Sequence, residues 1–380
     1  VALCASNLTT PAIGPTESTQ ADDHFNTLLY TGDGNTSRSI TGVGFAPDFV
    51  FIKSRSHAED PAMSDTVRGA TKKLKPNKDD AETTTATAVL SAFGSDGFTG
   101  PASTPGNLNV TSRTYVAWNW KAGGAPSADN SAAADAEPTA NSAKIDGSNQ
   151  SGAFSGSPSI AIKRLSANTT AGFSIVQWTG TGSAGTIPHG LSSAPNVVIV
   201  KNLDDSTKGW ATQHTSLGNN YLELESTDDA FSGSSYFNNT APTASVFSVG
   251  TAGSTNESGD DFIAYCFHSV EGYSKFGVFL GNSSADGAFV HLGFRPAYIW
   301  LKRHDANGVD WSLFDSKREG YNVDNDNLRA FAASAATEQT DDDIDFLSNG
   351  FKCRRNFANN QGNMVFFAWA EAPFKFSNAR

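Results

Sequence analysis

Two histidines hold near-equivalent places in this chain, His189 six residues before Pro195 and His291 five residues before Pro296. A repeated histidine could serve as a general base. A third copy of the position holds Thr41, which favours a turn residue beside glycine. Acidic runs at Asp204-Asp205, Asp228-Asp229, Asp260-Asp261 and Asp341-Asp342-Asp343 offer carboxylates, and glycoside hydrolysis needs two that face one sugar. These runs lie in Ser/Thr/Gly-rich turns spread over the chain, so solvated loop charge is the preferred reading. Asp324-Asn325-Asp326-Asn327 resembles the start of a calcium loop but lacks the glycine and the closing bidentate glutamate. Asp65-Thr66-Val67-Arg68-Gly69 and Asp315-Ser316-Lys317-Arg318-Glu319-Gly320 begin at matching distances after Pro47 and Pro296, where the remaining copy has His214-Thr215-Ser216-Leu217-Gly218. An Asp and an Arg three apart either fix a turn by a local ion pair or form a polar ligand patch, and the first is favoured. Trp178, Trp210, Trp300 and Trp311 could stack on sugar rings, although most tryptophans in strand patterns belong to a core. No Gly-x-Ser-x-Gly elbow, His-Glu-x-x-His or phosphate loop occurs. The sequence therefore assigns no catalytic, cofactor-binding or metal-ligating residue, and the ligand-binding residues are left unknown.

What must position these groups is a module written three times. Gly44-Phe45-Ala46-Pro47-Asp48-Phe49-Val50-Phe51-Ile52-Lys53, Ala194-Pro195-Asn196-Val197-Val198-Ile199-Val200-Lys201 and Gly293-Phe294-Arg295-Pro296-Ala297-Tyr298-Ile299-Trp300-Leu301-Lys302 each place a lysine six residues after a proline. Each is followed by an aromatic-Ala-aromatic landmark, at Tyr115 to Trp118, Phe262 to Tyr265 and Phe366 to Trp369. The alanines, Ala117, Ala264 and Ala368, keep a nearly constant distance from Pro47, Pro195 and Pro296. Two landmarks at a steady gap mean three copies of one module of about a hundred residues.

Within a module the order repeats. An opening strand ends at a glycine turn (Leu28 to Gly32, Ile175 to Gly180, Val278 to Gly281). The proline-led strand follows, its unbroken apolar run suited to burial on both faces, with the proline at the strand start where a missing N–H costs least. The lysine is expected to end burial. Phe93-Gly94-Ser95-Asp96-Gly97-Phe98 and Phe346-Leu347-Ser348-Asn349-Gly350-Phe351 read as hairpins whose Asp-Gly and Asn-Gly supply the positive φ of a type I′ turn. Leu328 to Ala336 is the one candidate for a short helix. The expected fold is all-β, three homologous β-sandwich modules in tandem. Residues 1–23 read as a connector from an upstream region, 24–121 as module one, 122–158 as a low-complexity linker or long loop, 159–270 as module two and 271–380 as module three. The short junction Glu271-Gly272 predicts rigid packing of modules two and three, and the long insert a looser module one or one that reaches across a neighbour.

Composition narrows the function. Apolar residues make up 38% and charged residues 17%, with 26 Phe, as befits an all-β chain. The net charge of −12 argues against nucleic acid, which needs a basic patch, and against an anionic membrane surface. Apolar runs are too short to span a bilayer as a helix, so no membrane insertion is expected. Cys4, Cys266 and Cys353 give neither a disulfide framework nor a metal spacing, and Cys266 reads as a buried thiol. The chain starts at Val1 and is read as a piece of a longer polypeptide.

Several phrases resemble a known family: Ile40-Thr41-Gly42-Val43-Gly44-Phe45, Ser166-Ala167-Asn168-Thr169-Thr170-Ala171-Gly172-Phe173, His189-Gly190-Leu191, Val270-Glu271-Gly272-Tyr273-Ser274-Lys275-Phe276-Gly277 and the C-terminal Glu371-Ala372-Pro373-Phe374-Lys375. They are similar to a repeated domain of unknown function in large virion proteins of marine tailed bacteriophages, often downstream of a lectin-like β-sandwich. The likeness covers nearly everything from His24 onward, and the insert at 125–158 departs from the compact copies. It implies a non-enzymatic virion surface protein, a tail or head fibre or spike component that attaches the particle to its host. The partners it implies are other virion proteins and a bacterial surface glycan. Other copies of the chain are expected as partners too, as a homo-oligomer and most simply a trimer, since the long insert could wrap a neighbouring subunit. Rival readings are a structural capsid decoration or spacer and a polysaccharide depolymerase.

Overall fold

The computed structural model describes residues 13–14, 18–35, 37–84, 90–100, 108–318, 322, 324–331 and 336–372. Each of the three modules builds the same four-stranded antiparallel sheet. The order is opening strand, closing strand, proline strand, return strand. In module one these are Phe25–Thr31, Thr114–Trp120, Phe49–Ser54 and Ala62–Asp65. In module two they are Phe173–Thr179, Asp261–Phe267, Val197–Asn202 and Ala211–His214. In module three they are Ser274–Asn282, Gln361–Ala370, Pro296–Arg303 and Ser312–Asp315. A smaller outer sheet faces each one, of three strands in module one, two in module two and four in module three. The expected sandwich is present three times.

Register corrects one detail of the repeat. The residue two after each proline pairs with Trp120, Phe267 and Trp369 in turn (Phe49, Val197 and Tyr298). Measured to these partners, the gap from the proline is steadier than the gap to the alanine. Ala117 and Ala264 face Ile52 and Val200, but Ala368 faces Ile299, two positions earlier on the proline strand. The alanine of module three is therefore not the counterpart of the other two; Phe366 is. A slip of two keeps every side chain on its own face of the sheet, which is why the landmark still looked intact.

The proline strands are buried on both faces, as their composition predicts: Val50, Ile52, Val198, Val200, Ile299 and Leu301 are all at most 1% exposed. Outward-facing residues such as Val50 and Ile52 pack beneath the outer sheet of module one, and Val198 and Val200 do so in module two. Inward-facing residues of all three modules share one central core that holds Phe51, Trp118, Ile199, Tyr265, Trp300 and Phe367. The modules thus do not hang in a row. They close a ring with their inner sheets turned toward one another.

Three equivalent hydrogen bonds close that ring. The Glu82 N–H donates to the Leu203 carbonyl at 2.8 Å, that of Ala230 to His304 at 3.0 Å, and that of Glu338 to Arg55 at 3.0 Å. Each acceptor lies eight residues after its module's proline. Module one reaches two, two reaches three, and three returns to one. The looser attachment expected for module one is overturned, because its inner face is covered by both neighbours.

The insert is also more than a linker. Ala143–Ile145 runs parallel to Leu165–Ala167, and the strand Ile162–Asn168 lies antiparallel to the opening strand of module two. The Asn130 N–H donates to Lys163 O at 2.9 Å, and Arg164 pairs with Asp129 at 2.5 Å. A segment poor in large apolar residues cannot form a core, but it can extend an existing sheet by backbone bonds. Ser127 to Asp135 stays exposed or half-buried, as expected.

Both hairpins form, with a different centre. Ser95-Asp96 and Ser348-Asn349 make the turns, since Gly94 pairs with Gly97 and Leu347 with Gly350. None of these four central residues has positive φ. Gly97 itself has φ +146°, and both glycines also serve close approach. A Cβ on Gly97 would lie 2.1 Å from Ile40 O, and one on Gly350 would lie 2.0 Å from Val290 O, both on the adjacent strand. Leu328 is bridged to Leu313 in extended form rather than helical, and residues 332–335 of that candidate helix lie outside the described residues.

Candidate functional site

The lysines that were to end burial are themselves buried. Lys53, Lys201 and Lys302 are each 0% exposed. Each ammonium donates to a backbone carbonyl six or seven residues on: Glu59 at 2.9 Å, Lys208 at 2.6 Å, and Val309. Lys201 also reaches across the ring to Asp79 O at 2.9 Å. Loss of water lowers all three to about 8. The lysine pins the loop between the proline and return strands, a role its sequence position did not reveal.

The Asp-x-x-Arg motifs sit at the ends of the return strands and are the polar centre of two junctions. Arg68 Nε meets Asp65 at 2.6 Å and Arg318 Nε meets Asp315 at 2.6 Å, all four side chains within 1% of full burial. Each arginine turns a second nitrogen to a glutamate, Glu82 at 3.1 Å and Glu338 at 3.0 Å. Each aspartate also accepts a hydrogen bond from an aromatic side chain of another module. Tyr265 Oη of module two donates to Asp65 at 2.8 Å, and Trp118 Nε1 of module one donates to Asp315 at 3.0 Å. Tyr265 and Trp118 are counterparts on their closing strands. At the third junction the counterparts are His214 and Phe367, with ring centroids 5.6 Å apart. Phe367 has no donor and His214 no carboxylate, so this junction has no counterpart of the ion-pair clamp and is held by packing and by bonds such as Ala230 N–H to His304 O and Asp229 N–H to Asn307 Oδ1. Burial holds the His214 imidazole down at about 4. The motif is a structural clamp between modules and not an open ligand patch.

The other candidates scatter. His189 is fully buried, accepting from Leu191 N–H at Nδ1 and bonded at Nε2 to Thr243 O, while His291 is exposed on an outer strand. Trp178, Trp210, Trp300 and Trp311 are at most 1% exposed, which removes all four as sugar platforms. The acidic runs are tied into loops: Asp204 accepts from Asp261 N–H at 2.6 Å, Asp205 from Thr207, and Asp260 from Asn202. The expectation that Asp341 to Asp343 are all exposed fails at Asp343. That side chain is 0% exposed and accepts from Asn327 and Arg355. Asp342 before it is exposed and Ile344 after it is buried, so the strand passes from solvent into the core at this point, and Asp341 is half-buried. Asp324–Asn327 is a strand and not a calcium loop, and no metal-ligating cluster occurs among the described residues. Cys266 is buried, as read, and so is Cys353.

A small cleft of about 240 Å³ is lined by Glu82, Asp129, Asp204 and Asp261, each held by an ion pair or a hydrogen bond. A larger one of about 730 Å³ lies where module one meets the insert and module two. Asp48 and Thr66, the hairpin tip Phe93-Gly94-Ser95, Lys121 and the chain from Ala122 to Ala125 line one side, and Asp146, Gly147, Asn168 and Thr170 the other. Asp48 is buried and saturated by Thr66 Oγ1, Ala122 N–H and Gly124 N–H. Asp146 accepts twice from Thr169. Sequence reading missed the cleft because its lining comes from residues far apart in the chain, between His24 and Thr170, that form no motif.

The family profile described as Domain of unknown function (DUF7483) matches residues 20–146 and again 143–373. The chain belongs to this family, and the domain is repeated in it. None of the curated proteins compared matches the chain.

Proposed function

We propose that this member of the family is a non-enzymatic surface component of a bacteriophage virion, of the fibre or spike type, that holds the particle on host-surface glycan. One observation carries the reading. The groups that could do chemistry, from the Asp-Arg-Glu clusters to the buried lysines and tryptophans, are spent on closing a ring of three modules. In the two clefts described above every lining carboxylate is held by an ion pair or a hydrogen bond, which speaks against a depolymerase. The likeness of the string around Glu271 to virion domains supplies the setting. A capsid decoration is the second reading, favoured by the ring itself, since a body with internal three-fold character fits a three-fold position on a shell. The test is adsorption. Purified chain should bind host cells and compete with virions for them, without releasing oligosaccharide from the envelope. Release that one Asp or Glu substitution abolishes would overturn the reading, and failure to adsorb would leave the decoration.

A further inference from the structure

The cleft is the feature that the internal three-fold does not repeat. After the closing strand of module two the chain turns at once into module three, and Val270 and Tyr273 of that turn are buried in the central core. The backbone starts the same way in both places: Ala122 N–H donates to Asp48 Oδ2 at 2.8 Å, and Ser269 N–H donates to Asn196 Oδ1 at 2.7 Å. Beyond that point module one continues through Gly123-Gly124-Ala125 instead of Val270-Glu271-Gly272-Tyr273, so no comparable side chain enters the space. Gly123 must lack a Cβ, which would lie 2.4 Å from both Ala167 O and Lys144 O. Gly124 and Gly147, at φ of +93° and +83°, present bare backbone to open space. The wall is therefore free of side chains at these positions, with the Gly123, Gly124 and Gly147 N–H groups already donating to Ser166, Asp48 and Gly123 O. Phe93 also lines the cleft, half-buried and resting against the outer core of module one.

We propose that this cleft binds a neutral, hydroxyl-rich saccharide unit, an assignment that rests on the attachment role above. A sugar ring has an apolar face and a rim of hydroxyls, and the cleft offers an aromatic side chain beside a rim of donors and acceptors. Lys121 brings an ammonium with no hydrogen-bond or ion-pair partner among the described residues, and the Ser95 and Thr170 hydroxyls lie at the exposed mouth. Lys121 shares the cleft with the Asp48 and Asp146 carboxylates, both already held by protein donors, so the cleft is not a cationic site for an anion. Its size is that of small-ligand sites, roughly 300–1,000 Å³, and too small for a folded partner.

Saturation-transfer NMR on the full chain with laminaritriose and mannotriose tests this. At least one probe should receive saturation, and the transfer should fall about five-fold or more in Phe93→Ala and in Ala125→Trp, a blocking change at an exposed position. Ala125→Trp should melt as the parent does, while Phe93→Ala, which removes a half-buried ring, should melt lower but remain folded at the temperature of the measurement. No transfer to either trisaccharide, or transfer that survives both substitutions, would overturn the site. Host adsorption untouched by the two variants would remove the site and keep the attachment role, while saccharide binding without adsorption would do the reverse.

Discussion

At the scale of single residues, the repeated lysine and the repeated Asp-x-x-Arg carry the most information, and both were legible as positions but not as roles. A lysine at the end of an apolar run reads as the start of solvent, because an ammonium is rarely buried without partners. Here loop carbonyls supply the partners, and they come from residues whose side chains say nothing. The sign of its titration is testable. The folded lysines titrate near 8, below the ordinary value of 10.5. Between those values the unfolded chain binds more protons, so stability rises with pH across that window. Lys302→Met removes the effect at one site. Its stability relative to the parent should fall by about 3 kcal/mol between pH 7 and pH 10.5, as read from urea denaturation at each pH. A difference that stays constant would refute the buried-ammonium account. The arginines give a second test. Arg318→Met leaves Asp315 buried without its cation and should cost about 3–5 kcal/mol. Arg354→Met, at a half-exposed pair with Asp345 3.2 Å away, should cost below about 1 kcal/mol.

At the scale of elements, the strands were readable because burial on both faces leaves an unbroken apolar run. Sequence found all three proline strands and both hairpins. It misplaced what depends on register and approach. The Ala368 landmark slipped by two because alternation preserves the pattern under that shift, and only the pairing to Tyr298 reveals it. The hairpin glycines looked like turn glycines because the strand that crowds them comes from far earlier in the chain (Thr41 against Gly97, His291 against Gly350). Two substitutions probe this level. Ile299→Ala, at a fully buried site, should destabilise by about 2–5 kcal/mol. Gly350→Ala should cost about 1–3 kcal/mol through overlap with Val290 O, whereas a glycine needed only for turn φ would not bring the clash. Melting curves unchanged in both would count against the strand assignments.

At the scale of the whole molecule, three tandem sandwiches could have formed a rod, and the sequence contains nothing that forbids it. The ring follows from the inner faces. Trp118, Trp120, Tyr265, Phe267, Tyr298, Trp300, Phe367 and Trp369 are all at most 2% exposed, and a rod would leave much of that aromatic surface in water at roughly 25 cal/mol per Å². Closure costs little chain entropy at the junction of modules two and three, where the turn is short. At the return from module three to module one there is no covalent link, and there the structure places an ion-pair clamp with a Trp118 donor. The expectation of a trimer rested partly on an insert long enough to wrap a neighbouring subunit, and that length is used inside the chain along module two. We therefore propose that the three-fold character lies within one chain. A protease site placed at the exposed Asp135–Glu137 stretch tests it. After cleavage, module one should still co-elute with modules two and three as a body of one chain's mass, 40.0 kDa, in light scattering. In the cleaved Arg68→Met, Arg318→Met double variant, module one should separate at lower urea than in the cleaved parent, because both buried clamps are gone and the Arg55–Glu338 pair, the Lys201 contact to Asp79 O, the two backbone bonds and packing must hold it alone. Separation of module one from the cleaved parent would show that the ring is held by its linker and not by its junctions, and a mass of three chains would return the three-fold axis to the assembly.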